Sequence, residues 1–343
     1  MARHPTQAPA PGAPERSGAD PDQPATFRSG FACFVGRPNA GKSTLTNALV
    51  GTKIAITSGR PQTTRHAVRG IVHRPDAQLV LVDTPGLHRP RTLLGERLND
   101  VVRATLSSVD VVGFCAPADE PVGRGDRYIA EELSRLPGRT PVIAILTKTD
   151  LVKDPERIGA RLLELSQLAD FAEIVPVNAV PVPVRGDDRT AGDDRVRAAG
   201  HQLDILADLL VARLPLGPPL YLDGELTDEP ERVMVAELVR EAALEGVRDE
   251  LPHSLAVVVE EMLPREDRPA ERPLLDVHVN VFVERPSQKA IVIGAGGSRL
   301  KDVGTKARAQ IEALLGTPVF LDLHVKVAKD WQRDPKQLRR LGF

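Results

Sequence analysis

The ten residues Gly36 to Leu45, GRPNAGKSTL, narrow the folds open to this chain more than any other stretch. They match Gly-x-x-x-x-Gly-Lys-Ser and stand between the apolar run FACFVG (31–36) and a segment of helical periodicity, Lys42–Val50. Such a loop turns successive backbone N–H groups and a helix N-terminus onto phosphate oxygens, so it needs a strand before it and a helix after it. On this reading Gly36 and Gly41 permit the backbone geometry. Arg37, Pro38, Asn39, Ala40 and Thr44 surround the phosphates, Lys42 neutralises their charge and Ser43 ligates Mg²⁺. The expected ligand is a nucleoside triphosphate.

The chain around the loop supplies the matching sheet. QLVLVDTPG (78–86), VDVVGFCAP (109–117), TPVIAILTKTD (140–150) and AEIVPVNA (172–179) read as further strands, mostly apolar throughout, as strands buried on both faces are. Leu93–Ser107, Asp126–Arg135 and Pro155–Ala169 carry helical periodicity between them. Alternating strands and helices predict an α/β domain with a mostly parallel sheet and flanking helices. VPVPVRGDDRTAGDDRVRAAG (180–200) reads as an inserted loop, followed by a helix His201–Leu214 and a linker, PLGPPLYL (215–222). The remainder predicts a smaller α+β domain: helix Glu231–Glu245, strands Ser254–Glu261 and Leu275–Val283, a short segment Gln288–Ile293, helix Ser298–Leu315 and strand Val319–Val327. The expected domains are 29–214 and 223–343, after a disordered tail at 1–28.

Three stretches choose the nucleotide. In DTPG (83–86), Asp83 closes a strand where it can hold Mg²⁺ through water, and Thr84 and Pro85 lead to Gly86, whose N–H can meet the γ-phosphate. TKTD (147–150) ends another strand at the edge where open α/β sheets bind ligands. Asp150 can accept both the N1–H and the exocyclic amine of guanine, adenine offers neither in that arrangement, and Lys148 can lay its stem along the base beside Thr147. QTTRH (62–66) sits in a polar loop ahead of the second strand. There Thr64 is the expected second Mg²⁺ hydroxyl, ordered by a γ-phosphate, with Thr63 as the alternative. The expected activity is GTP hydrolysis, with Lys42, Thr64, Gly86 and Asn39 as the catalytic set. Two positions complicate it. Leu87 follows Gly86 where Ras-like proteins place the glutamine that orients water, so unaided hydrolysis should be slow; the neighbouring His88 reads as an exposed loop residue. Asn39 is either a turn-former or a ligand for a K⁺ that stabilises transition-state charge.

Composition excludes little else. The chain is 41% hydrophobic and 27% charged and has no uninterrupted apolar run of membrane-spanning length, the profile of a soluble globular protein. Its start lacks the apolar core of a secretory signal, and Cys33 and Cys115 read as inert buried thiols in a reducing cytoplasm. The chain holds 45 Lys and Arg against 47 Asp and Glu, yet from Pro286 to Phe343 there are eleven basic residues to five acidic ones. A basic end on an otherwise acidic chain predicts a polyanion-binding module. The loop Gly294–Ala295–Gly296–Gly297 lies there between two helical segments. In a KH domain a Gly-x-x-Gly loop brings bare backbone against a nucleic-acid backbone.

From about Phe31 to Phe343 the chain resembles the bacterial Era family of ribosome-assembly GTPases. The resemblance rests on GRPNAGKSTL, QTTRH, DTPGLH, AELVRE with ELPHS (250–254), KDVGTKARAQIEALLGTPVFLDLHVKV and WQRDPKQLRRLGF. It implies a P-loop GTPase domain followed by a type II KH domain, GTP and GDP as ligands, Mg²⁺ as cofactor, and a switch acting on the 3′ end of 16S rRNA in the 30S subunit. It implies a cytoplasmic protein, expected to be monomeric, in a family some of whose members associate peripherally with membranes. Related GTPases with asparagine at the Asn39 position use K⁺. The chain departs from the family at Thr147, usually Asn; at Asn178-Ala179, usually Ser-Ala, where the Ala179 N–H can still meet guanine O6; and in the KH loop, which often carries a lysine. Phosphate attraction there would fall to Lys289, Arg299 and Lys301. The alternatives are a GTP-gated RNA-binding factor with negligible hydrolysis and a signalling GTPase whose C-terminal module binds protein or membrane.

Overall fold

The computed structural model describes residues 26–58, 63–90, 92–136, 140–179, 194–246, 254–266, 268–269 and 272–343. Most of the expected tail, residues 180–193 of the expected insertion and most of ELPHS lie outside them. The first domain is a six-stranded sheet built from β1 (Arg28–Gly36), β2 (Val68–Arg74), β3 (Ala77–Asp83), β4 (Val111–Pro117), β5 (Val142–Thr147) and β6 (Glu173–Pro176), in the order β2-β3-β1-β4-β5-β6. Neighbours pair in parallel except β2 and β3. Helices α1 (Lys42–Val50), α2 (Leu93–Leu106), α3 (Arg124–Leu133), α4 (Pro155–Ser166) and α5 (Asp194–Val211) flank it. The apolar runs of β1, β4 and β5 feed two cores, one on each face: Phe34, Cys115 and Ile145 pack toward α5, and Cys33, Phe114 and Leu146 toward α2 and α3. This two-sided burial accounts for the lack of alternation in those strands.

The structure corrects the reading at four places. An additional strand, β2, lies within the stretch read as a polar loop, at the sheet's antiparallel edge. The segment 215–228 covers that edge: the Ile71 N–H donates to the Leu226 carbonyl (2.9 Å) and the Thr227 hydroxyl to the Arg69 carbonyl (2.6 Å). The expected linker therefore lies along the first domain. Helix α5 begins at Asp194, inside the stretch read as a loop, and β1 begins at Arg28.

The second domain holds α6 (Glu231–Leu244), β7 (Ala256–Pro264), β8 (Leu275–Val283), α7 (Pro286–Ile293), α8 (Ser298–Leu315), β9 (Val319–Val327) and α9 (Pro335–Arg340). Strands β7 and β8 pair antiparallel, β8 and β9 parallel. Val235 and Val239 of α6 and Val303, Ala307 and Ile311 of α8 pack on one sheet face. Part of the other face, at Ala256 and Phe282, meets Trp331, Leu338 and Leu341 from the C-terminal stretch and Leu94 and Leu98 of α2. The two domains thus share an apolar seam.

Candidate nucleotide site and glycine loop

Strand β1 delivers the loop and α1 leaves it. Gly41 stands at the N-cap with φ of 88° and no side-chain cap, which leaves the first N–H groups of α1 facing the cavity. The buried Lys42 ammonium donates to the carbonyls of Gly36 (3.2 Å) and Arg37 (3.0 Å), and burial lowers its pKa against the opposing pull of Asp83. Arg37 is turned away from the phosphates. Its guanidinium donates to Asp126 (2.8 Å) and Glu120 (2.8 Å), tying the loop to the N-terminal turn of α3.

Ser43, Thr64 and Asp83 converge on one corner. The Ser43 and Thr64 hydroxyls are 2.8 Å apart, and Asp83 Oδ2 accepts from Ser43 at 2.7 Å and Thr64 at 3.1 Å. Mg²⁺–O bonds of about 2.0–2.1 Å make an octahedron with edges of about 2.9 Å, so the spacing of the Ser43 and Thr64 hydroxyls suits two neighbouring ligands of that ion, with Asp83 behind them to accept from a bound water. Asp83 is fully buried and its Oδ1 has no hydrogen-bond partner among the described residues. Burial raises its pKa, opposed chiefly by Ser43 and Lys42. An all-oxygen donor set with an orphaned carboxylate oxygen fits a hard divalent cation. Thr63, the alternative, instead meets the Ser58 hydroxyl at 2.9 Å.

A cavity of 340 Å³ runs from Asn39, Lys42 and Ser43 past Thr64 and Gly86 to Lys148, so the phosphate loop and the hydroxyls of Ser43 and Thr64 share one space with the lysine of the base motif, while Asp83 and Asp150 lie outside its lining. Gly86 lies against the loop so closely that a Cβ there would sit 2.7 Å from Pro38 N. The Leu87 N–H donates to the Gly36 carbonyl at 3.2 Å. Thr84 stands apart, its hydroxyl donating to the Phe34 carbonyl at 2.7 Å. At the base end Thr147 keeps a tie to the loop: its hydroxyl donates to the Ala40 carbonyl at 2.6 Å, replacing part of what an asparagine would supply. Lys148 takes a left-handed backbone (φ 57°), which starts the turn that leaves Asp150 exposed. Asn178 and Ala179 follow β6, half-buried, with the Asn178 N–H on Gln202 at 2.8 Å.

Leu87 is 1% exposed and packs with Val35, Val102 and Leu106, so it belongs to the core rather than to the site. His88, expected to be exposed, is half-buried, its carbonyl accepting from Asn99 at 2.7 Å. Asn39 is exposed with φ of 63°, the backbone a turn-former supplies, while it also lines the phosphate end of the cavity. Burial raises the pKa of both Cys33 and Cys115, the latter to about 12, as expected of inert thiols.

In the second domain Gly296 (φ 57°) and Gly297 (φ 80°) hold left-handed conformations between α7 and α8, an exposed turn that side chains would strain. Ile291 beside it is 51% exposed, Lys301 is exposed and Lys289 half-buried. Arg299 departs from the expectation: its guanidinium donates to the carbonyls of Ala243 (3.2 Å) and Glu245 (2.8 Å) and so caps the end of α6. Of the three cations expected at this loop, Lys289 and Lys301 are the two not engaged in that cap.

The amino-acid pattern gave no sign of the contacts that α6 makes with the segment carrying Thr64. The guanidinium of Arg240, 2% exposed, donates to the Thr63 carbonyl, and Glu241 accepts from the Thr57 N–H (2.8 Å) and pairs with Lys53. Within AELVRE an arginine and a glutamate, Arg240 and Glu241, stand at buried positions of α6, which is explained only by these long-range partners.

Family models match both domains: a 50S ribosome-binding GTPase over residues 31–148 and a KH domain over 250–332. A Streptomyces coelicolor protein named GTPase Era is 70% identical over 92% of this chain and 95% of its own. A Mycobacterium protein of the same name is 62% identical over 92% and 99%. The chain belongs to the Era GTPase family. Among solved structures, Era in complex with MgGDPNP and nucleotides 1506–1542 of 16S ribosomal RNA superposes with a TM-score of 0.82 at 34% identity, covering 92% of this chain and 99% of that one. An Aquifex aeolicus Era variant bound to GDP·AlF4⁻ matches equally well.

Proposed function

We propose that this chain is a GTP-hydrolysing switch that binds the 3′ end of 16S rRNA and assists assembly of the small ribosomal subunit. The observation that carries this reading is the shared cavity that joins the phosphate loop, the Ser43 and Thr64 hydroxyls and Lys148 of the base motif, in a chain that also carries an exposed KH-type glycine loop. The overall shape is that of a relative crystallised with MgGDPNP and the 16S fragment. Residues 29–214 serve as the GTPase unit, 223–343 as the type II KH unit and 215–222 as the connection. Work on a nascent subunit belongs in the cytoplasm. Any membrane contact would be peripheral, since no helix among the described residues is long and apolar enough to cross a bilayer.

In this mechanism the loop from Gly36 to Thr44 binds the phosphates, with Lys42 as the fixed positive charge and the Gly86 N–H toward the γ-phosphate. Ser43 and Thr64 would hold Mg²⁺ directly and Asp83 through water. When bound, the ion supplies charge neutralisation between the β- and γ-phosphates. Asp150 accepts the guanine N–H groups, Lys148 covers the base, and Ala179 offers its N–H to O6. The glycine loop and Lys289 and Lys301 meet the RNA backbone. With Leu87 in the core, that side chain cannot orient water; Asn39 would be the residue to hold a K⁺, which would add positive charge beside the phosphates.

Single-turnover GTP hydrolysis in K⁺ and in Na⁺ buffer, with and without a 16S 3′-end oligonucleotide, tests the reading. Slow basal turnover raised by K⁺ or by RNA is expected. Equal rates in the two salts would remove the cation role of Asn39. The burial of Leu87 also favours a second reading, a GTP-gated RNA binder with negligible hydrolysis, which an absence of turnover under every condition would support.

A further inference from the structure

The segment between α1 and β2 carries Thr64, and α6 of the second domain holds it on both sides. On the α1 side, Ile56 is 5% exposed and sits in the second domain's own core with Val235, Leu238 and Val239. The Thr57 N–H donates to Glu241 Oε1 at 2.8 Å, and Lys53 bridges Glu241 and, at 2.6 Å, Gln310 of α8. On the β2 side, Arg240 donates to the Thr63 carbonyl and is itself paired with Glu237 one turn earlier, while Arg65 donates to the Leu255 carbonyl at 2.6 Å. Two of these contacts, from Arg240 and from Arg65, flank Thr64 directly in sequence.

We propose that Arg240 is a positioning residue for the GTPase site: by holding the Thr63 carbonyl it keeps the Thr64 hydroxyl beside Ser43 and Asp83. The inference rests on the reading of Thr64 as the γ-phosphate-dependent Mg²⁺ ligand. Physically, a guanidinium is suited to this task because its fork can serve Glu237 and a carbonyl at once. The bond is charge-assisted and shielded from water, so it is among the stronger single contacts available. It reads backbone position rather than side-chain identity. Undocking the second domain withdraws Arg240, Glu241 and the pocket for Ile56 together, so the docked arrangement and the Mg²⁺ corner stabilise one another, each raising the other's population by the same factor.

The test uses the full chain with Arg240→Met, which keeps the volume of the buried stem and removes the donor. Equilibrium binding of a fluorescent GDP and of a fluorescent non-hydrolysable GTP analogue is measured with Mg²⁺, beside single-turnover hydrolysis. GDP makes no demand on Thr64, so its affinity should stay within about twofold. Affinity for the triphosphate, and the hydrolysis rate, should fall roughly tenfold to a hundredfold, the range that loss of one charge-assisted bond gives. Arg240→Lys should recover part of the loss, since an ammonium reaches one acceptor but lacks the fork. Should Arg240→Met fail to fold, Lys53→Met at the more exposed pin should shift the GTP-to-GDP ratio in the same direction by a smaller factor. A wild-type ratio of GTP to GDP affinity in folded Arg240→Met, or in Lys53→Met if that variant stands in for it, would overturn the inference. If the wild-type chain itself showed no Mg²⁺-dependent preference for the triphosphate, the GTPase reading would fail first and take this inference with it.

Discussion

Gly86→Ala probes how closely the segment after β3 lies against the phosphate loop. A Cβ at this position would stand 2.7 Å from Pro38 N, 2.8 Å from its Cα and 2.9 Å from its Cγ. Two of those atoms are backbone, so no side chain can swing aside to make room. Forcing a methyl group into such a contact costs about 1–3 kcal/mol, or roughly 5- to 150-fold in an equilibrium. One of the two segments must yield. The loop is anchored by Arg37 on Asp126 and by the Thr147 hydroxyl on the Ala40 carbonyl, and the segment is anchored on either side of Gly86, by the Thr84 hydroxyl on the Phe34 carbonyl and by Leu87 in the core. The strain should therefore fall on the Gly86 peptide between those anchors and tilt its N–H away from the γ-phosphate while the grip on GDP remains. Fluorescent-nucleotide titration should show GDP affinity within about twofold of wild type and GTP-analogue affinity at least fivefold weaker, with single-turnover hydrolysis reduced at least tenfold. Wild-type hydrolysis by folded Gly86→Ala would refute the close approach and the role assigned to Gly86.

Four further outcomes follow from the same geometry. Thr147→Val removes the donor to the Ala40 carbonyl and leaves that oxygen buried, so denaturant unfolding should show a loss of about 1–2 kcal/mol; Thr147→Asn should preserve nucleotide affinity. Asn39→Ala should abolish any difference between K⁺ and Na⁺ hydrolysis rates without weakening GDP binding more than a few-fold. Gly296→Asp adds a strained side chain and a negative charge to the exposed glycine loop, and should reduce 16S oligonucleotide binding by at least tenfold while GTP hydrolysis without RNA is unchanged. Glu229, pushed up to about 7 by burial and then by Asp228, should make stability depend on pH. Its folded pKa is raised, so the folded state is favoured below the ordinary carboxylate value near 4.5 and loses that advantage as pH rises to about 7. Glu229→Gln should raise the melting temperature at pH 8 and change it little at pH 4.

The parts legible in the sequence were those governed by local chemistry. Strands buried on both faces announce themselves as apolar runs, and β1, β4 and β5 stand where FACFVG, VDVVGFCAP and TPVIAILTKTD lie. Strand β2, VRGIVHR, does not, because an edge strand half-covered by another segment carries arginine, glycine and histidine among its apolar residues. The phosphate loop and DTPG are legible because bare backbone and close approach require those residue types. The roles of Arg37 and Arg299 are not, since a cation near a loop reads as phosphate-directed until the fold brings Asp126 to one and the end of α6 to the other. Leu87 could be read as a missing glutamine, but its burial depends on α2 folding over the sheet. The clamp of α6 on the Thr64 segment spans about 180 residues of sequence and leaves no periodicity to find.

In a switch of this kind bound nucleotide governs RNA binding. The most direct measurement of that control is the affinity of the full chain for a 16S 3′-end oligonucleotide, in Mg²⁺ with a non-hydrolysable GTP analogue and again with GDP, beside a scrambled RNA of the same composition. Tight, sequence-selective binding is expected with the triphosphate, and at least tenfold weaker binding with GDP. Equal affinity in both nucleotide states, or equal affinity for the scrambled RNA, would contradict the switch.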